Sequence, residues 1–266
     1  KRIPGKEEFY ETLRYFQRQI DLLDIDLRLE TRVEAKDLIE QGFDDVIIAT
    51  GVKPRTPKIE GIDHPKVLGY LDVLRHNKPV GKSVAVIGAG GIGFDVSEFL
   101  THDFDKHPEG EQVSVAEWQA EWGVNPTFEG PGGLAERAQT PSPRKIYLMQ
   151  RKTGKVGGGL GKTSGWVHRS SLKHRDVEML RGCRYDRIDD QGLHITLTDK
   201  DGKTGETRVL AVDNVIICAG QESYRELFDQ LADKGVKAHL IGGADVAEEL
   251  DAKRAIRQGT EIAAAI

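Results

Sequence analysis

Cysteine is scarce. Cys183 and Cys218 are the only two among 266 residues, and they show neither the short gap of a redox pair nor the grouped spacing of metal ligands. Cys218 stands inside the apolar run VIICAG, where it reads as filler of a buried strand. The eight histidines, His102 and His107 among them, are scattered singly, without the clustered ligands of a zinc or iron site, so no metal is assigned. No apolar run approaches the roughly 20 residues needed to cross a bilayer, and no secretory leader is visible. Lys and Arg number 38 against 43 Asp and Glu, a net charge of −5 with both signs interspersed, which leaves no basic face for nucleic acid. These absences predict a soluble, cytoplasmic protein that engages neither membrane nor nucleic acid. An initiator Met and an opening strand are missing too: the chain begins KRIPGKEEFY and reads as part of something longer.

What is present suffices for two modest α/β domains. Phe9, Leu13, Phe16 and Ile20 recur at helical spacing between Glu7 and Leu23, predicting a helix with one buried face. DLRLETRV alternates as a strand, with Leu27, Leu29, Thr31 and Val33 on one side. DDVIIATG follows, apolar on both faces as a strand of a parallel sheet must be. The Pro- and Gly-rich VKPRTPKIEGIDHPKV is a crossing linker.

KSVAVIGAGGIGFDVSEFL then reads as strand, tight turn and helix, with Gly88, Gly90 and Gly93 in G-x-G-x-x-G register. Gly88 permits the turn, Gly90 lets backbone approach a pyrophosphate, and Gly93 lets helix pack on strand. The pyrophosphate would lie on the helix N-terminus, where unpaired N–H groups and the helix dipole favour anions. Residues 101–144 are polar and rich in Gly and Pro, an insertion in which Trp118 and Trp122 share one face of a short helix.

Two later stretches could meet a phosphate. GGGLGKTSG resembles a triphosphate-binding loop, but that motif needs a glycine five residues before Gly161, where Val156 stands; a flexible solvated loop holding Lys162 and Thr163 remains. The other is QRK, residues 150–152, at the end of the delayed second strand KIYLMQ. An acid at this strand end would bond the ribose 2′-hydroxyl of NAD and repel a 2′-phosphate. Arg151 and Lys152, with no acid beside them, suit the 2′-phosphate of NADP, through a bidentate fork and a point charge. A solvated basic turn is the alternative. On this reading an acid placed at Gln150 is expected to favour NADH.

Turn signals at residues 190–192 and at Asp201-Gly202 predict a β-meander, which ends in VDNVIICAG, a second run built like FDDVIIATG. A strand ending at Gly242-Gly243 and an Ala-rich helix complete the chain.

The arrangement resembles flavoproteins of the disulfide-reductase type, in which an NAD(P) domain is inserted into an FAD domain. DDVIIATG and VDNVIICAG look like that fold's junction strands, and IGGAD like its late FAD motif. More closely, IPGKEEFYETLRYF, GIDHPKVLGYLDVLR, GLGKTSGWVHR, VDNVIICAGQE and HLIGGADVAEELDAKRAIRQG are similar to the C-terminal part of the bacterial NADPH-dependent 2,4-dienoyl-CoA reductases. The expected fold is a Rossmann-like NADP domain, residues 79–210 with its insertion at 101–144, set into a partial FAD domain of residues 1–78 and 211–266.

The resemblance implies hydride transfer from NADPH to FAD, then onward transfer through a four-iron cluster and FMN to a dienoyl-CoA in the β-oxidation of unsaturated fatty acids. The cluster and the FMN barrel would belong to an N-terminal region of the same polypeptide, absent from this sequence. By carry-over, Gly243, Asp245, Leu250, Asp251 and Ala252 line the flavin, and Trp166 faces it. Leu250 and Ala252 could instead be helix core, and Trp166 an interface anchor. The cofactors carry such chemistry and need alignment, so no catalytic side chain is expected. A second reading keeps the fold without the reaction: a structural module holding a permanent ADP, as relatives such as trimethylamine dehydrogenase look to have.

Overall fold

The structure, a computed structural model, describes residues 2–111, 113–199, 202–248 and 251–266. In chain order, helices α1 (Phe9–Leu22) and α2 (Ala35–Gln41) precede strands β1 (Val46–Ile48), β2 (Val52–Pro54) and β3 (Val67–Gly69). Helix α3 (Tyr70–Leu74) leads to β4 (Ser83–Ile87), α4 (Gly91–Thr101), α5 (Val115–Trp122), β5 (Lys145–Met149), α6 (Gly165–His174) and β6 (Glu178–Leu180). Then come β7 (Cys183–Asp189), β8 (Gly192–Thr198), β9 (Thr204–Leu210), β10 (Asn214–Ile217), β11 (Gln221–Ser223), α7 (Glu226–Ala232), β12 (Ala238–Leu240) and α8 (Ala252–Ala263). The chain forms two compact units, one of residues up to Arg18 with Thr56–Ala219, the other of Gln19–Arg55 with Gly220–Ile266.

The first unit is built on a parallel sheet ordered β3-β10-β4-β5-β6. After a polar first residue, its central strands β4, β5 and β10 are apolar throughout because both faces are covered. Val84, Val86, Ile146, Leu148 and Ile216 join Phe94, Leu100 and Leu172 of the crossover helices in one core. The alternate residues Ala85, Ile87, Tyr147, Met149, Val215 and Ile217 join Ile188, Leu193 and Ile195 of the antiparallel meander β7-β8-β9 in the other. The period-two alternation thus feeds two apolar layers, which is why VDNVIICAG settles here. Through β3 and β10 this unit extends to 56 and 219, where the sequence reading divided the chain at 78/79 and 210/211.

The meander has the predicted turns, with Gly192 and Gly202 both at positive φ; Asp201 lies outside the described residues. The insertion supplies α5, whose N-cap Ser114 exchanges hydrogen bonds with Glu117 in a capping box.

The second unit pairs β1 with β12 in parallel and β2 with β11 antiparallel. Ile48, Leu231 and Ala244 form its small core. DDVIIATG therefore enters a parallel pair as expected, although of β1 only Ile48 is buried. Two expectations are corrected. Residues 26–33 form no strand, and Leu27, Leu29 and Val33 are exposed. Alternation becomes a strand only where a neighbouring strand accepts it, and β1 pairs with β12 alone. Helix α1 forms, but Phe9, Leu13 and Phe16 are each about half exposed, at 52%, 49% and 49%, so its apolar face is not buried. Periodicity dictated the helix, while burial also needed a surface to cover it.

Candidate nucleotide and flavin sites

The glycine turn sits at the carboxyl end of β4, where the sheet order reverses: β5 pairs with β4 on one side and β10 on the other. Open α/β sheets bind ligands at such switch points. Each of the three glycines meets a different demand. Gly88 has φ 110°, and a β-carbon there would run into the carbonyl group of Cys218, so only glycine fits where the chain turns between β4 and the end of β10. Gly93, in the first turn of α4, lies so close to Gly88 that a β-carbon would overlap its carbonyl oxygen.

Gly90 is the reverse case. It is the N-cap of α4 with extended backbone, and a β-carbon on it or on Gly91 would meet nothing within 4 Å. The space in front of the α4 N-terminus is open, and the N–H groups of the first helical turn lack intrahelical partners. Backbone can approach a pyrophosphate there without hindrance, so the cradle fits a dinucleotide.

QRK occupies the end of the adjacent strand. The main chain of Gln150 is held by β6 and β7: its N–H donates to the Leu180 carbonyl at 3.0 Å, and its carbonyl accepts from the Cys183 N–H at 3.0 Å. Arg151 and Lys152 follow with exposed side chains, and neither forms an ion pair among the described residues. Behind them, Tyr185 of β7 buries its phenol, which burial pushes well above the ordinary tyrosine pKa while the charge of Arg151 pulls the other way. The donor set, two free cations and no acid, fits a 2′-phosphate.

The glycine-rich loop ahead of α6 lies beside the same edge. Val156 is buried in the core, Gly157 presses on the ring of Phe94, one turn into α4, and Arg169 Nη1 donates to the Gly157 carbonyl at 3.0 Å. Lys162 and Thr163 stay exposed, as a solvated loop requires.

Trp166, at the start of α6, is 56% exposed. Its ring contact in this unit is edge-to-face with Trp122 of the insertion, at 6.4 Å between centroids. The insertion is also tied to Arg175, the C-cap of α6, by the ion pair Arg175–Glu121 at 3.0 Å.

The late FAD motif lies wholly in the second unit. Gly243 is buried in the 3-10 turn Gly242–Ala244 that follows β12. Gln258 of α8 braces this turn, accepting from the Gly242 N–H at 2.8 Å and donating to Asp245 Oδ2 at 2.9 Å. Asp245 Oδ1 accepts no hydrogen bond among the described residues, so it can take a ligand hydroxyl. Asp251 is the N-cap of α8, its carboxylate accepting from the Arg254 N–H at 2.7 Å, and Ala252 is the exposed first residue of that helix. Asp251 thus spends its side chain on the helix. Leu250 lies outside the described residues.

At position 150 the sequence shows only that no acid is present, and it gives no signal for Gly182. Gly182 has φ 66°, and a β-carbon on it would run into the Thr198 carbonyl; its N–H holds the Lys152 carbonyl at 3.0 Å. The αL position could not be read from sequence, since it follows from how β7 meets the strand-end loop.

Residues 15–254 match the family described as pyridine nucleotide-disulphide oxidoreductase. Among curated proteins, the chain is 27% identical to a bilirubin reductase of Mediterraneibacter gnavus, over 96% of this chain and 33% of that protein. It is 24% identical to a metal reductase of Desulforamulus reducens, over 91% of this chain and 34% of that one. Among solved structures, a 2-naphthoyl-CoA reductase in complex with 2-naphthoyl-CoA superposes with a TM-score of 0.72 at 22% identity, over 96% of this chain and 32% of that chain. The chain thus spans about a third of the length of these relatives. With the glycine turn, the parallel sheet and the late glycine turn all in place, the chain belongs to the pyridine nucleotide-disulphide oxidoreductase family, whose fold binds FAD and NAD(P).

Proposed function

We propose that this chain is the electron-input portion of a larger flavoenzyme, taking hydride from NADPH in preference to NADH and delivering it to FAD. The observation that carries the preference is the exposed, unpaired Arg151-Lys152 at the end of β5, beside the open cradle of Gly90. In this reading the first turn of α4 binds the pyrophosphate through backbone N–H groups, and Arg151 and Lys152 hold the 2′-phosphate. Gly243, Asp245 and the start of α8 line the flavin, with Asp245 Oδ1 accepting from a hydroxyl of its ribityl chain. When bound, nicotinamide and flavin supply the hydride exchange themselves; the side chains bind and align.

The final acceptor is proposed to be a 2,4-dienoyl-CoA, reached through an iron-sulfur cluster and FMN in a part of the polypeptide outside this sequence. Its support is the resemblance of the quoted sequence stretches to the dienoyl-CoA reductases. The test is anaerobic mixing of the flavin-loaded protein with NADPH or NADH while the visible flavin absorbance is followed. Rapid bleaching by NADPH and slow bleaching by NADH at equal concentration is expected. No bleaching by either, with ADP recovered from the protein, would make the chain a structural module.

A further inference from the structure

Gln150 stands where a dinucleotide fold that prefers NAD carries an acid. With its main chain pinned on both sides, its side chain turns back under the loop that follows. Nε2 lies 3.0 Å from the Lys152 carbonyl oxygen, 2.9 Å from that of Gly154 and 3.5 Å from that of Lys155. A side-chain amide has two N–H donors, so the two shorter contacts account for both. The Lys152 carbonyl is gripped a second time by the Gly182 N–H. Carbonyl oxygens of the loop therefore turn inward onto one donor, while the side chains of Arg151 and Lys152 are left facing solvent.

We propose that Gln150 is a positioning residue for nucleotide selectivity, resting on the NADPH reading above. Its amide acts as a donor that folds residues 151–155 so that both cations meet a 2′-phosphate together. What position 150 requires on this account is N–H groups, beyond the mere absence of negative charge. A carboxylate there has no proton to give and would face two carbonyl oxygens at hydrogen-bond distance, so the loop would open. A methionine, of similar length but without donors, would open it as well. The acid at 150 therefore loses NADPH without gaining NADH, against the expectation drawn from sequence alone.

The experiment measures Kd for NADPH and NADH on the full protein for the wild type, Gln150→Met, Gln150→Glu and Arg151→Ala, with thermal unfolding of each. Both Gln150 variants are expected to weaken NADPH about tenfold, the scale of one or two hydrogen bonds, and to leave NADH within about twofold. Three results overturn the proposal: wild-type NADPH affinity in Gln150→Met, tighter NADH binding in Gln150→Glu, or equal loss of both nucleotides, which would make Gln150 a general structural residue. If Arg151→Ala is selective for NADPH while Gln150→Met is silent, only the role of Gln150 falls. If Arg151→Ala weakens both nucleotides equally, the NADPH reading falls and takes this proposal with it.

Discussion

Gly93 lies against Gly88 so closely that a β-carbon on Gly93 would occupy the space of the Gly88 carbonyl oxygen. Helix α4 and strand β4 meet at backbone distance at this point, and neither side is a flexible side chain able to move away. Gly93→Ala is expected to cost about 1–3 kcal/mol through overpacking and to displace the start of α4. A lowered Tm with loss of both NADPH and NADH binding checks this; an unchanged Tm would show that the turn yields.

Gly90→Ala should separate the fold from its ligand. Its added methyl meets no protein atom and its backbone is one that alanine adopts, so the Tm should stay within about 0.5 kcal/mol of wild type in free-energy terms. The methyl would nonetheless stand where backbone must approach a pyrophosphate. NADPH and NADH are expected to weaken equally in titrations, whereas a purely structural Gly90 would leave both unchanged.

Helices α4 and α6 are tied by Glu98 and His168, whose Oε2 and Nδ1 lie 3.3 Å apart. Donating a hydrogen bond to the Glu98 carboxylate raises the pKa of His168, burial opposes it, and the nearby Lys6 and Asp95 pull in opposite directions. A raised folded-state pKa means stability that is fully present below the unfolded value of about 6.5 and lost as pH rises through the folded one. The stability difference between wild type and His168→Gln should therefore be larger at about pH 5.5 than at about pH 8.5. A difference independent of pH in thermal unfolding would contradict this.

Cys183 and Cys218 are 1% and 7% exposed. Burial pushes the Cys183 thiol up to about 11 and the Cys218 thiol further still, so neither forms thiolate at neutral pH. A thiol reagent should label both only at the rate of unfolding, and rapid labelling of either in the native protein would contradict this.

The legible parts of the sequence were those whose signal is local. G-x-G-x-x-G encodes a turn and a helix start within six residues: Gly88 makes the turn, Gly93 the close packing of helix on strand, and Gly90 faces open space. The runs VAVI, IYLM and VII are apolar at every position, which fixes them as strands between two layers wherever the layers come from. Burial and pairing depend on distant chain, and there the sequence misled. Phe9, Leu13 and Phe16 specify a helix but cannot specify its cover, and Leu27 to Val33 alternate without an edge to join. The flavin motif was legible as a motif, yet that Asp251 spends its carboxylate on the Arg254 N–H emerged only from the capping geometry. Gln150 was read for the charge it lacks, because the carbonyl oxygens it holds come together only when the loop folds.

Cofactor choice is the central claim, and Arg151 tests it most directly. Removing one charged hydrogen bond to a 2′-phosphate costs on the order of 1.5–3 kcal/mol. At about 1.4 kcal/mol per factor of ten, Arg151→Ala should weaken NADPH by roughly ten- to a hundredfold. Lys152 can substitute in part as a point charge, so the double alanine variant should lose more than either single one. The deciding measurement is Kd for NADPH and NADH in wild type and Arg151→Ala. A loss confined to NADPH is predicted, and equal losses for the two nucleotides would contradict the assignment of the 2′-phosphate to this strand end.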